Sequence, residues 1–283
     1  MKLTIGTRNS RLARIQTDLA AAAIRAHWPE AQITILPIIT RGDRIADRPL
    51  TQIGGRGVFI EEIEQALLSG KIDLAVHSAK DLPVKLAEGT CVPAVLPRAQ
   101  AGDMLVTRMG TVLRETCRIG TSSLRRAQAV RNKYPNAEIA DLRGNVETRL
   151  KKLADGQYDA IILAEAGLSR LGLLEDPRFD FRAFTLDEIV PAPCQGIIAL
   201  QTRTEDAAWY RMVNDTDTYY CFETERFLLE RLDAGCSSPT GALAQIRKER
   251  IVLTATRDQK RILREEAPVS ERFALAERMV NAL

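Results

Sequence analysis

Short apolar runs alternate with segments of helical period from Lys2 to Arg170, and that alternation confines the chain to a layered α/β plan. Lys2–Gly6 reads as a first strand ending at a glycine. From Ser10, a good N-cap, Leu12, Ile15, Leu19, Ala23 and Ile24 recur at helical spacing. Ile33–Ile39 predicts a second strand, Phe59–Leu68 a short amphipathic helix, and Ile72–Val76 an apolar strand running into HSAKD. Between them Thr40–Gly57 is polar and glycine-punctuated, a loop long enough to be functional or disordered. In such a domain ligands bind at the carboxyl ends of the strands.

Pro83, Pro93 and Pro97 mark a break, after which a second α/β unit follows. Arg118–Gly120 ends a strand, Ser122 opens a helix to about Lys133, Glu138–Leu142 is a strand, Val146–Leu153 a helix and Ala160–Ala164 an apolar strand. Asp176–Asp187 reads as irregular, and PAPCQG (Pro191–Gly196) as a rigid linker into a strand at Ile197–Gln201. A helix around Thr218–Leu232 leads to AGCSSPTG. The remainder predicts strands at Ala242–Ile246, Ile251–Thr256 and Ile262–Glu265 and a closing helix from Ser270, a small α+β module.

A chain of 283 residues suggests about two domains at ~150 residues each. Hydrophobic residues at 45% and charged residues at 27% give the balance of a soluble globular enzyme. The start lacks a signal-peptide core, and no apolar run approaches the ~20 residues that span a bilayer. The cysteines (Cys91, Cys117, Cys194, Cys221, Cys236) are odd in number and scattered, which argues for reduced thiols in a cytoplasm. With only His27 and His77 available, a histidine-rich metal site is disfavoured. Net charge is +3, yet arginines cluster at Arg125, Arg126, Arg143, Arg149 and Arg170, a pattern suited to a small acidic ligand.

Five segments carry candidate chemistry. GTSSLRR (Gly120–Arg126) sets Thr121, Ser122, Ser123 and two arginines at a strand-to-helix turn, where free N–H groups and the helix dipole favour an anion. A Ser N-cap followed by solvated arginines is the bland alternative. LRGNVETR (Leu142–Arg149) repeats the design with Arg143 and Arg149, and AEAGLSRLG adds Arg170 at a third strand end. Guanidinium forks bind carboxylates bidentately, so the three together favour a polycarboxylate ligand over solvated charge. HSAKDLP places Ser78, Lys80 and Asp81 after a buried strand, where Asp81 is either an acid/base or cation-stabilising group or part of an Asx-type turn before Pro83. AGCSSPTG sets Cys236 on a glycine-rich turn, as a nucleophile, an attachment point or an inert thiol.

Taken in order and spacing, TRNSRLARIQ, TRGD, GGRGVF, HSAKDLP, GTSSLRR, LRGNVETRL, YDAIILAEAGLSRLG and GCSSPTG resemble the porphobilinogen deaminases, over residues 3 to about 241. The resemblance implies an α/β fold of two periplasmic-binding-protein-like domains plus a small C-terminal α+β domain. Its boundaries here would be 1–95 with 190–212, then 96–189, then 213–283, so that the first domain is interrupted by the second. It implies a transferase that condenses four porphobilinogens head to tail on an enzyme-bound dipyrromethane, each losing ammonia, and releases hydroxymethylbilane with water. Cys236 would carry the dipyrromethane through a thioether, and Asp81 would be the catalytic carboxylate. Lys80, Ser123, Arg125 and Arg126, with Thr121 and Ser122, would hold cofactor carboxylates. Arg8, Arg143, Arg149 and Arg170 would serve substrate or the growing chain, assisted by Ser10 and Gln16. The implied setting is a cytoplasmic monomer without metal, nucleic acid or membrane, passing its product to uroporphyrinogen-III synthase.

The chain departs from the family's commonest pattern at Arg56, where many members have lysine, and at Cys194, which takes a place usually filled by Gly or Ala. A two-domain binding protein for an acidic metabolite would fit the arginines equally well, but it gives Cys236 and Asp81 no work. A nucleic-acid surface fits poorly, because aromatic residues total only 5% and none interleave the basic segments.

Overall fold

The computed structural model describes residues 2–40, 60–234 and 238–283. The expected loop Thr40–Gly57 lies outside them beyond Thr40, with Arg56, and so does Cys236 with its immediate neighbours. The chain divides into two compact units, Met1–Ala99 with Ile197–Tyr220 and Gln100–Gly196 with Cys221–Leu283.

The first unit is built on a five-stranded sheet in the order β2-β1-β3-β10-β4. Its strands are β1 (Lys2–Arg8), β2 (Gln32–Ile38), β3 (Leu74–Ser78), β4 (Thr90–Val95) and β10 (Ile198–Arg203). β1 runs parallel to β2 and β3, and β10 enters antiparallel to both β3 and β4. Alternation along β3 sorts the core into two layers. Leu74 and Val76 face a cluster with Ile5, Ala20 and Ile24, the last two from α1 (Arg11–His27). Ala75 faces the other way, toward Ile63 and Leu67 of α2 (Glu61–Leu68). α1 begins where the sequence predicts, because the Ser10 side chain accepts from the Ala13 amide.

The second unit repeats this plan. Its five strands are ordered β7-β6-β8-β5-β9: β5 (Asp103–Arg108), β6 (Arg118–Gly120), β7 (Glu138–Ala140), β8 (Ala160–Ala164) and β9 (Phe179–Ala183). Three parallel strands are again followed by an antiparallel fourth, β5, which pairs with β8 and β9. Ile161 and Leu163 of β8 pack with Leu150 and Leu153 of α4 (Val146–Ala154), while Ala160 and Ile162 pack with Val130 of α3 (Leu124–Lys133). The same unit holds a three-stranded antiparallel sheet, β11 (Gly241–Arg247), β12 (Arg250–Thr256) and β13 (Leu263–Pro268). Leu275 and Met279 of the closing helix Arg272–Ala282 and Leu228 of the helix Thr216–Arg231 are fully buried in its cluster. The mixed α/β class and the small C-terminal α+β module are as the sequence reading expected.

Three elements differ from that reading. The proline-marked break contains β4, with Pro93 inside it; β4 is an edge strand, where a missing N–H is tolerated. The following stretch contains β5 as well. Asp176–Asp187 is not irregular throughout, since Phe179, Phe181 and Ala183 alternate along β9. Cys194 stands at φ +62, the left-handed region in which glycine is unstrained and a residue with a side chain is not. Among the described residues Cys91, Cys117, Cys194 and Cys221 form no disulfide, and burial pushes the thiols of Cys91 and Cys117 up.

His77 on β3 is buried, and burial, with a smaller push from Arg8, lowers its pKa to about 4 against an opposing hydrogen bond with Gln201. The unfolded chain therefore binds this proton at a pH where the folded chain does not. Stability is full above about pH 6.5 and falls as pH drops toward 4, by up to about 3 kcal/mol. Urea titrations at pH 4 to 7 should show that slope in the parent and a flatter one in His77→Asn. Parallel slopes would remove His77 as the cause.

Candidate functional site

Because β6, β7 and β8 are adjacent and parallel, their carboxyl ends share one edge of the second unit's sheet. Three arginine-bearing turns leave from that edge. After β6 comes Thr121, whose hydroxyl accepts from the Ser123 amide, and Ser123 then caps α3 by accepting from the Arg126 amide. Ser122 is spent on the next turn: its hydroxyl donates to the Leu142 carbonyl and accepts from the Leu142 amide, locking the ends of β6 and β7 together. The local sequence thus supplies its own scaffold, with the hydroxyls holding the turn and the guanidiniums pointing elsewhere.

Arg125 and Arg126, only 4% and 7% exposed, converge on Asp103, which is fully buried at the start of β5. Arg125 Nη1 donates to Asp103 Oδ2 at 2.7 Å and to the Val190 carbonyl at 2.9 Å. Arg126 donates to Asp103 Oδ1 through Nε (2.9 Å) and Nη2 (2.7 Å), and through Nη1 to the Ile162 carbonyl (3.1 Å). Gln195 of PAPCQG donates to the same carboxylate oxygen at 3.1 Å and to the carbonyls of Ala101 and Gly102. Burial lowers the pKa of Arg125, and Asp103 opposes that shift. Two guanidiniums against one carboxylate leave an excess positive charge in a desolvated place, which an anionic ligand offsets.

After β7, Arg143 stands half-buried, 3.8 Å from Asp141, and its Nη2 is buried with no hydrogen-bond partner among the described residues. Arg149 donates through Nε to the Gly144 carbonyl, so it also holds its own turn. Gly144 sits at φ +108, and a Cβ there would come within 2.6 Å of Thr148. After β8, Arg170 donates to the Gly196 carbonyl at 2.6 Å, and burial lowers its pKa.

In the first unit the same logic places Arg8 at the end of β1, Ser78 at the end of parallel β3, and Lys80 and Asp81 just beyond it. Ala79–Asp81 forms a single 3-10 turn, pinned by the Ala79 amide on the Ile197 carbonyl, and the Asp81 carboxylate is exposed at its end. Buried Gln16 of α1 is hydrogen-bonded to Ser78 at 2.9 Å, which ties the helix to the end of β3. Ser10 is engaged as the cap of α1.

Sequence reading missed Asp103 and Gln195. Asp103 is a single acidic residue opening an apolar strand, and Gln195 lies in a segment read only as a linker. The one available signal was a carboxylate opening the apolar run Met104–Val106, a run the sequence reading did not take as a strand. Among the described residues no three His, Cys, Asp or Glu side chains group as metal ligands, and no helix is long and apolar enough to cross a membrane.

Guanidiniums at three neighbouring strand ends, two of them clamped by a buried carboxylate, give this α/β protein a positively charged sheet edge. Residues 3–211 match the family model described as porphobilinogen deaminase, dipyromethane cofactor binding domain, and residues 219–279 match the porphobilinogen deaminase C-terminal domain. The porphobilinogen deaminase of Xanthomonas oryzae pv. oryzae (strain PXO99A) is 44% identical over 257 residues, covering 89% of this chain and 84% of that one. That of Acetivibrio thermocellus is 42% identical over 256 residues, covering 90% and 87%. Among solved structures, the periplasmic VFT2 domain of Bordetella pertussis BvgS aligns with a TM-score of 0.46 at 14% identity, over 78% of this chain and 92% of that domain. This chain belongs to the porphobilinogen deaminase family.

Asp103→Asn removes the charge that both arginines share and leaves two buried guanidiniums. The expected cost is about 3 kcal/mol or more, on the order of a 10 °C fall in the unfolding midpoint of this unit. Calorimetry checks it, and a midpoint within 2 °C or so of the parent would deny the triad its structural weight.

Proposed function

We propose that Asp81 and Cys236 carry the chemistry of this enzyme and that the arginines of the strand ends hold its acidic reactants. As a family member the chain is a transferase of tetrapyrrole biosynthesis: it condenses four porphobilinogen molecules head to tail, with loss of ammonia, and releases hydroxymethylbilane by hydrolysis. Its cofactor is dipyrromethane, which supplies the pyrrole carbon on which the chain is begun. Each pyrrole carries an acetate and a propionate, so the whole ligand is a polycarboxylate.

The observation that carries the assignment is the arginine pair on Asp103. Two of the five guanidinium N–H groups of Arg125 go to Asp103 and Val190, leaving three for a ligand. The fixed carboxylate orients both forks beforehand, so little side-chain freedom is lost when a carboxylate is gripped. The buried, unpartnered Nη2 of Arg143 fits the same kind of ligand. Arg125 and Arg126, with Lys80 and Ser123, are assigned to the cofactor carboxylates. Thr121 and Ser122 support them, as their backbone-directed hydroxyls suggest. Arg8, Arg143, Arg149 and Arg170 are assigned to incoming substrate and the lengthening chain, and Ser10 and Gln16 to holding the first strand-end turn. Asp81, on a short turn pinned to the neighbouring strand, places a negative charge near the reacting centre, where it stabilises the positive charge that develops as ammonia leaves.

The same reading divides the chain into three domains: 1–95 with 190–212, then 96–189, then 213–283. It makes the protein a cytoplasmic monomer that hands its product to uroporphyrinogen-III synthase.

Intact mass of the purified protein should exceed the chain mass by one dipyrromethane, and Cys236→Ser should lose both the adduct and activity. An active variant of unmodified mass would end the Cys236 assignment. Asp81 is tested in protein already loaded with cofactor. There Asp81→Asn should lower turnover by about 10²–10³-fold, while Asp81→Glu, which keeps the charge, should retain slow measurable turnover. Near-normal turnover by loaded Asp81→Asn would leave Asp81 as a turn residue.

A further inference from the structure

The turn between β12 and β13 is tied to more of the second unit than a hairpin connection requires. Thr256 Oγ1 accepts from the Gln259 amide, and Asp258 Oδ1 accepts from the amides of Lys260 and Arg261, so the turn is rigid by itself. At its tip Gln259 stands at φ +59, a backbone conformation that glycine adopts without strain and glutamine does not. Yet Gln259 is only 4% exposed and every polar group of its side chain is used. Its Oε1 accepts from the Val190 amide at 2.9 Å, and its Nε2 donates to the Pro239 carbonyl at 3.1 Å. Its backbone carbonyl accepts from Asn132 Nδ2 of α3 at 2.9 Å.

Those three partners belong to three parts of the candidate site. Pro239 lies three residues after Cys236 in the chain. Val190 gives its carbonyl to Arg125 Nη1, on the side opposite its amide. Asn132 sits on the helix that carries Arg125 and Arg126. The approach is close: a Cβ on Gly241 would lie 2.6 Å from Gln259 Nε2 and 2.6 Å from the Val190 carbonyl oxygen, so the exit of the cysteine segment can sit there only because residue 241 is glycine. A hydrogen-bonded line thus runs from Pro239 through Gln259, Val190 and Arg125 to Asp103.

We propose that Gln259 is a positioning residue for cofactor attachment, fixing the exit of the Cys236 segment relative to the arginine pair. The inference rests on the reading of Cys236 as the attachment cysteine. In that step the Cys236 Sγ forms a thioether to the hydroxymethyl carbon of a preformed hydroxymethylbilane, and the thiol proton leaves with the hydroxyl as water. The arginines govern how tightly the carboxylates are held, whereas Gln259 governs where the thiol segment is anchored. The two contributions therefore separate kinetically, into the half-saturating concentration and the maximal rate.

The test uses full-length apoprotein and hydroxymethylbilane, with covalent loading followed by intact mass at a series of concentrations. Gln259→Met keeps the side chain's length and removes both of its hydrogen bonds. Gln259→Gly removes the side chain while relieving the left-handed backbone, so it guards against a variant that merely fails to fold. In both, the maximal loading rate should fall about three- to ten-fold, with the half-saturating concentration within two-fold of the parent. A purely structural role would lower the thermal midpoint and leave the loading rate unmoved. A maximal rate within two-fold of the parent in Gln259→Gly overturns the proposal, as does a rate loss matched by an equal rise in half-saturating concentration. Where the two variants differ, the glycine variant decides. A parent protein that takes up no adduct at Cys236 would instead sink the attachment reading itself.

Discussion

The second unit is organised around a carboxylate that has no exposure to water. Asp103 opens β5, the antiparallel strand at the middle of the pairing between β8 and β9, and from there it meets both arginines of the GTSSLRR turn and Gln195. A buried carboxylate of this kind is tolerated only when its lone pairs are filled, and here four N–H groups of three side chains are drawn into one place to do it. The consequence runs outward. Arg126 also caps the carbonyl of Ile162, Arg125 that of Val190, and Gln195 those of Ala101 and Gly102, so β5, β8 and the PAPCQG segment are registered against the same charge. At these arginines the proposed binding role and fold integrity are therefore not separable: the charge assigned to a ligand is also the internal bracing.

Much of the architecture was legible because it is periodic. β1, β2, β3, β6 and β8 announce themselves as apolar runs, and α1 and α4 as amphipathic stretches with Ser and Asn caps. What was missed has a common cause. β4 contains a proline and tolerates it because it borders the sheet, and β5 follows a proline-rich stretch that reads as a break. β9 alternates phenylalanines, a signal that was present and outweighed by the charged residues between them. The likeness of the two five-stranded sheets left no repeat in the sequence, because a topology can recur while every side chain differs.

The site divides in the same way. Arginines and serines at strand-to-helix turns are local features, and their spacing from a glycine marks them. Their partners are distant in sequence: Asp103 lies 22 residues before Arg125, and Gln195 is 92 residues from Asp103. Gln259 belongs to the short connection between the strands expected at Ile251–Thr256 and Ile262–Glu265, a stretch the sequence reading passed over. Nothing local distinguishes a glutamine that braces a distant loop from one that faces solvent. The hydroxyls of GTSSLRR run the other way, since they invite a ligand-binding reading and all three are occupied with the backbone.

The placement of β10 sets an order of events for a chain leaving the ribosome. β10 carries residues 198–203 and sits between β3 and β4, and β4 has no other neighbour in its sheet. All five strands of the second unit's larger sheet lie between residues 103 and 183, so that sheet is complete in sequence before β10 has been made. The amino-terminal half, although synthesised first, must wait with a gap in its sheet and β4 unpaired until synthesis has passed residue 203. Vectorial synthesis thus runs against the usual first-made, first-folded order here, and during that interval the unfilled edge of β3 is the surface most in need of protection from other chains.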